Sequence, residues 1–370
     1  MRYYFDHNAT TPVSPEVLEA MLPCFVQTFG NASSIHRDGQ AARQKLETAR
    51  RQVAAFLGCG PKEIVFTSGG TESDNLAVLG AGSSHVITTA IEHPAVLSAC
   101  ERMDATIVPV AGDGVVSPDD IRRAIRPDTV LISVMHANNE LGTVQPVAEI
   151  ARIAREAGVR MHSDGVQAAG KVAVDVKQLG VDLYSISGHK FNAPKGVGVL
   201  YVKDGVTIAA RSFGGRHERE RRAGTENVPG AAGLGAAAEM TRPDYGPLRD
   251  RLERGIVERV PHVRVNCAGS PRVPNTSNIT FEGIEGESLV IALDLRGFSV
   301  SSGSACSSGA VEPSHVLTAI GMPREQGKST LRFSLGLGND EEQVDLLINA
   351  VADACVHLRK LSPSKLCQIL

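Results

Sequence analysis

Between residues 63 and 202 short apolar runs alternate with stretches whose apolar residues recur three and four positions apart, and no other feature restricts the fold as much. The runs EIVFTS, HVITTA, TIVPV, TVLISVM, VRMHSD, DLYSIS and GVGVLYV have strand length and are rich in β-branched residues. Between them, ESDNLAVLGA, PAVLSACERM, PDDIRRAI and PVAEIARIAREAG carry helical spacing. Strands this apolar must be covered on both sides. The pattern therefore predicts an α/β fold, a mostly parallel sheet with helices on both faces. After RPDYG the rhythm changes. Leu248 to Val260 reads as a long amphipathic helix, followed by SNITF, SLVIALDLRG, STLRFSL and a last helix, which together predict a smaller α+β unit. A domain boundary is expected near Pro243, and no internal repeat or low-complexity tract is visible.

A chain of 370 residues with 42% hydrophobic content can bury a large core and divide into two domains. Its formal net charge of −3 offers no large basic surface, so neither nucleic acid nor an anionic membrane is expected as a principal partner. The opening MRYYFDHNATTPV has no charged-then-apolar leader, and no apolar run is long enough to span a bilayer. The default expectation is a cytoplasmic enzyme.

Seven cysteines, an odd number scattered without a C-x-x-C pair, argue against a disulfide framework or a zinc site. Cys355 falls on the stripe Val344, Leu347, Ile348, Val351, Cys355, Leu358 and is expected to be a buried small hydrophobe. Cys306 differs from the rest. It stands in SSGSACSSG, a run suited to a mobile polar loop. Cys367, near the C-terminus, has no activating neighbour.

Three stretches carry chemistry. In VFTSGGTESDNLAVLG a strand ends at Ser68, two glycines allow a tight turn and a helix begins near Thr71. Its free N–H groups and a threonine hydroxyl can cradle a phosphate, although Thr71 serving simply as the N-cap fits equally well. The P-loop lysine and the dinucleotide glycine spacing are missing, so the phosphate would not be a nucleotide's. In HSDGVQAAGK, Asp164 ends a strand at the carboxyl edge, where open α/β sheets bind ligands; an N-cap is the plain alternative. In DLYSISGHKFNAPKGVG, Lys190 lies among small residues with no local acid, as either an exposed lysine or a desolvated one able to form an imine. A phosphate cup, a carboxylate for a pyridine nitrogen and an imine-forming amine are together what pyridoxal phosphate requires.

The sequence resembles the cysteine desulfurases of the class V aminotransferase family, fold type I pyridoxal-phosphate enzymes, along nearly its whole length. The resemblance rests on FDHNATTPVSPEV, GNASSIHRDGQAAR, SGGTESDN, EHPAVL, NNELGTVQP, SDGVQAAGK, SGHKFNAPKG, RRAGTENVPG, SSGSACSSG, EPSHVL and LRFSLG, in the family's order. The serine-rich cysteine loop is similar to the housekeeping and nitrogen-fixation branch. The resemblance implies a large cofactor-binding domain over 15–243 and a small domain of 1–14 with 244–370 that carries the cysteine loop. Lys190 would hold pyridoxal phosphate as an imine and later move protons. Asp164 would pair with the pyridinium nitrogen, Gln167 would bond the 3′ oxygen, and Asn139 would reach that oxygen or the substrate carboxylate. His93, otherwise an ordinary turn residue, would lie against the ring. Gly70, Thr71, Ser187 and His189 would bind the phosphate, joined by Thr225 from the neighbouring subunit of a homodimer. Arg332 would clamp the carboxylate of L-cysteine. Cys306 would take its sulfur as a persulfide, releasing L-alanine.

An iron–sulfur scaffold protein or another sulfur carrier is the implied recipient, serving iron–sulfur cluster assembly, tRNA thiolation or both. Selenocysteine lyases and transaminases would use the same lysine and carboxylate and remain alternatives. Four positions depart from the family pattern: Arg216 and Glu220 in GGRHERERRAGT, Ala193 in FNAPKG and Leu337 in SLGLGND. The chain also stops soon after LRKLSP, without a longer tail that could dock a scaffold.

Overall fold

The structure is a computed structural model that describes residues 2–302 and 314–361. All seven apolar runs form strands: β1 (Ile64–Thr67), β2 (His85–Thr89), β3 (Ala105–Val108), β4 (Thr129–Ser133), β5 (Arg160–Asp164), β6 (Leu183–Ser187) and β7 (Gly198–Val202). They build one sheet in the order β1-β7-β6-β5-β4-β2-β3. Only β7 runs against its neighbours; the other pairings are parallel.

Successive residues of a strand point to opposite faces, and here they sort into two separate cores. Ile64, Phe66, Ile87, Ile132, Tyr184 and Val199 join one, packed with the helices Arg37–Leu57, Val147–Glu156 and Val228–Glu239. Val65, Val86, Leu131, Leu183 and Leu200 join the other, with Gly70–Gly80 and Pro94–Cys100. Helices thus cover both faces.

Two of these helices fall outside the helical stretches quoted above, although Arg37–Leu57 carries Ala42, Leu46, Ala49, Val53 and Leu57 three and four apart. Arg37–Leu57 buries the mixed set Gly39, Ala42, Leu46, Ala49, Arg50 and Val53. Val228–Glu239 is rich in alanine and glycine and is buried nearly all round. Their contact depends on small residues, since a Cβ on Gly235 would lie 2.8 Å from Ala49 Cα.

The chain after residue 245 has its own core. Strands β8 (Val263–Val265), β9 (Thr276–Phe281) and β10 (Thr330–Ser334) form an antiparallel sheet in the order β10-β9-β8. The helices Gly246–Arg259, Gly286–Asp294 and Glu341–Leu361 pack on it, and Cys355 is buried there as the stripe predicted. The N-terminal residues join this unit: Phe5 is in its core, and Tyr3–Tyr4 pair with Phe298–Ser299.

Candidate active site

The parallel strands end along one edge, and the turns beyond them supply the walls of a cleft of about 380 Å³. After β1 come Gly70 and Thr71, after β2 His93, after β4 Asn139. Asp164 ends β5 and Gln167 follows it, while Ser187, His189 and Lys190 end or follow β6. Arg332 enters from β10. All ten line this one space.

At the first turn, the N-cap position of helix Gly70–Gly80 is Gly69, with no side-chain cap. Thr71 is therefore not the cap; it lies inside the first turn, at the cleft wall. The turn is held close to the sheet and to the loop after Asp164. A Cβ on Gly198 would come within 2.6 Å of Gly69 Cα, and one on Gly70 within 2.8 Å of Val166 Cγ2. Glycine brings these backbones together, leaving the first N–H groups of the helix open to the cleft.

Asp164 is buried and accepts from Val166 N at 2.9 Å, so the capping role is real for one oxygen. Burial raises its pKa, opposed by the Val166 N–H, His93 and Lys190. Lys190 Nζ donates to the carbonyls of Asn8 at 2.7 Å and Ala9 at 2.8 Å. Burial and the Arg332 charge push its pKa down to about 8, against the attraction of Asp164 and Asp6. The acids absent from its local sequence are supplied by the fold. His189 Nδ1 meets Thr10 Oγ1 at 3.1 Å, and burial with the nearby lysines Lys190 and Lys195 pushes its pKa down to about 4. His93 accepts from Ala95 N through Nδ1 at 3.1 Å, so it caps helix Pro94–Cys100 while lining the cleft.

Arg332 is 5% exposed and is held from two sides. Nη2 donates to Asp6 Oδ1 at 2.7 Å and Nη1 to Asn139 O at 3.1 Å, while Nε has no partner among the described residues. The partly exposed Asp6 of the chain itself is thus a counter-ion to this arginine, and the Nε–H is left without a partner among the described residues.

Asn8, which the sequence reading assigned no role, joins much of the site. Its Nδ2 donates to Asn139 O and Thr276 Oγ1, its Oδ1 accepts from Lys171 and Asn275, and its carbonyl accepts from Gln167 and Lys190. Asp6, Asn8 and Lys171 went unassigned because their partners are remote in sequence; the quoted FDHNATTPVSPEV was the only pointer to the first two.

Thr225 is exposed and does not line this chain's cleft. The loop before it has left-handed backbone at Glu218, Arg219 and Glu220. Glu218 anchors that loop through a buried two-pronged pair with Arg50, at 2.8 and 2.7 Å, and also accepts from Phe66 N at 2.9 Å. The departures Arg216 and Glu220 pair with each other at the surface, at 3.1 Å. Cys306 and Cys367 lie outside the described residues. Ser301, five residues before Cys306, lines the cleft, and His315 Nε2 meets the Glu92 carbonyl at 2.9 Å, next to His93.

Residues 3–347 match the family described as Aminotransferase class-V. The chain belongs to the class V aminotransferase family. Among relatives of this family chain, one from Methanosarcina thermophila named Cysteine desulfurase IscS is 48% identical, over 97% of this chain and 93% of its own. A Cysteine desulfurase IscS from Dictyoglomus turgidum is 44% identical over 98% and 96%. A solved structure described as a NIFS-like protein superposes with a TM-score of 0.89 at 36% identity, covering 97% of this chain and 100% of that one. Another, SspA in complex with cysteine, gives a TM-score of 0.83 at 36% identity over 91% and 99%.

The residues of this class V aminotransferase site suit pyridoxal phosphate by their chemistry. A helix N-terminus with Thr71, Ser187 and His189 offers donors for a phosphate, Asp164 a carboxylate for a pyridine nitrogen, and Lys190 an amine of lowered pKa.

Proposed function

We propose that the chain is a cysteine desulfurase that binds pyridoxal phosphate at Lys190, acts on L-cysteine and carries its sulfur on Cys306. The observation that supports it most is the meeting of Lys190, Asp164 and the partly unpartnered Arg332 in one cleft, in a chain 48% identical to a named cysteine desulfurase. When bound, pyridoxal phosphate supplies an electron sink for the electron pair left when the substrate loses its α-proton.

Each residue then has a task that its setting supports. Gly70, Thr71, Ser187 and His189 bind the phosphate, with Thr225 added from the neighbouring copy of a homodimer. Asp164 would keep a proton on the pyridine nitrogen, Gln167 would bond the ring oxygen and His93 would stand against the ring. Arg332, with Asn139 beside it, holds the substrate carboxylate. Lys190, whose lowered pKa gives it a larger neutral fraction than an ordinary lysine has at the same pH, removes the α-proton and returns protons. The Cys306 thiolate forms a bond to the substrate sulfur as the carbon–sulfur bond breaks. Cysteine and the thiol thus become alanine and a persulfide, with no outside oxidant or reductant. A thiol of a sulfur carrier, such as an iron–sulfur scaffold protein, next takes the outer sulfur by exchange and regenerates Cys306.

The five described cysteines make poor rivals for that role. Burial raises the pKa of Cys24, pushes those of Cys59, Cys100 and Cys355 up to about 12, and pushes that of Cys267 up to about 11. The two cores support a large domain over 15–243 and a small one of 1–14 with 244–370. No helix among the described residues is long and apolar enough to cross a membrane, and the cytoplasm is the proposed location.

The test is a peptide map after brief exposure to L-cysteine, with alanine measured in parallel. One reducible sulfur atom on Cys306, and no alanine from Cys306→Ser, is the expected result. Sulfur found on another cysteine, with Cys306→Ser fully active, would remove the assignment; dependence on a keto acid or a selenium substrate would point to the transaminase or lyase alternatives.

A further inference from the structure

Lys171 is a lysine that none of the roles above uses, and no carboxylate pairs with it among the described residues. It follows Gln167 by one helical turn, since the Ala169 N–H bonds the Gly165 carbonyl at 2.9 Å and coils the chain there. Its Nζ donates to Asn8 Oδ1 at 2.7 Å and also to Gln167 Oε1. Gln167 and Asn8 line the cleft, and Lys171 stands behind them.

We propose that Lys171 is a positioning residue that locks the Gln167 side chain with its NH₂ group presented to the cofactor. An ammonium can only donate, so each amide must turn its oxygen to Lys171. That leaves Gln167 Nε2 with two hydrogens. One goes to the Asn8 carbonyl at 2.9 Å, and the other is available to the cleft. Asn8 is fixed in the same sense: with Oδ1 on Lys171 and Asn275, its Nδ2 reaches Asn139 O at 3.1 Å and Thr276 Oγ1 at 2.8 Å. A neutral amine would suit the two acceptors as well, having two hydrogens of its own. Burial and the charges of Lys190 and Arg332 hold its pKa well below the ordinary lysine value, which favours that neutral form, and the Asn8 carbonyl, an acceptor only, then keeps the Gln167 NH₂ turned the same way. The inference rests on the reading of Gln167 as the donor to the cofactor's ring oxygen.

The test is a pH titration of the visible absorption band of the holoenzyme, for wild type, Gln167→Ala, Lys171→Met and the double variant. A donor to the ring oxygen lowers its hold on a proton, so losing that donor raises the midpoint, by about one pH unit for a charge-assisted bond. We expect the rise in Gln167→Ala, a smaller rise in Lys171→Met, and none beyond Gln167→Ala in the double variant, because Lys171 acts through Gln167. Lys171→Gln, which keeps a donor, should fall between wild type and Lys171→Met, and it stands in if the methionine variant does not fold. A midpoint that moves in Gln167→Ala but stays in place in both Lys171 variants would overturn the inference. So would fully additive shifts, which would mean that Lys171 acts by its charge alone. An unmoved midpoint in Gln167→Ala would instead overturn the ring-oxygen reading, and the inference with it.

Discussion

At the scale of the residue, the site is governed by how burial changes the chemistry of a few side chains. Lys190 shows it most directly. An amine attacks a carbonyl only when neutral, and this one is pushed down to about 8 by burial and Arg332. Lowering the pKa raises the neutral fraction at any pH below it. Uptake of pyridoxal phosphate by the apoprotein should therefore quicken as pH rises through about 8 and then level off. Stopped-flow absorbance would measure it, and a rate still climbing toward the ordinary lysine value of about 10.4 would contradict the lowered pKa. Arg332 gives a second expectation. Asp6 and the Asn139 carbonyl each take a donor from a different nitrogen, which orients the planar group and leaves Nε unpartnered. Arg332→Lys keeps the charge but not the fork, so affinity for cysteine should fall by on the order of 1.5–3 kcal/mol. An unchanged Michaelis constant would count against the clamp.

At the scale of the element, the site is a set of turns beyond strand ends, and what holds those turns matters as much as what they carry. Arg50 of helix Arg37–Leu57 and Glu218 of the loop before Thr225 show side chains 4% and 2% exposed, and Glu218 also accepts from the backbone of β1. One carboxylate thus fastens a left-handed loop to a helix and a strand. Glu218→Gln would leave the buried Arg50 charge with only the partly exposed Glu47 as counter-ion, a loss of at most about 3–5 kcal/mol. The expected outcome is a lower urea midpoint together with weaker cofactor retention, because the freed loop carries Thr225. Wild-type values for both would mean that the pair is dispensable. The surface pair Arg216–Glu220 should behave differently: at 90% and 67% exposure it is screened by water, and its removal should change stability little.

At the scale of the whole molecule, one described chain has a cleft without Thr225, and Phe25, Val26, Phe29, Ile35 and Phe213 are left exposed. Both observations support the homodimer. Thr225→Val should weaken cofactor binding, and mixing it with Lys190→Ala should restore binding in part. In the mixed dimer, the chain that keeps Lys190 receives an intact Thr225 from its partner. Activity and cofactor content measured after subunit exchange would show this gain. A mixture no better than the average of its parents would place Thr225 in its own chain's site, or outside any site.

Much of this was legible in the linear sequence because it depends on local repetition and on short motifs. The seven strands follow from apolar runs, since all but the edge strand β3 are covered on both faces, and the alternation of their residues between two cores needs only the twofold period of a strand. The residues from Gly70 to Lys190 were legible through family motifs, and the cleft gathers them because parallel strands share one carboxyl edge, while Arg332 reaches it from a strand of the antiparallel sheet. The helix Val228–Glu239 was not, because its packing rests on small residues whose value appears only when two backbones approach. Nor were the partners of the charged groups. Asp6 beside Arg332, Asn8 beneath Lys190 and Lys171 behind Gln167 are contacts that depend on distance in space, and hydrogen bonds across long sequence separations leave no local signature.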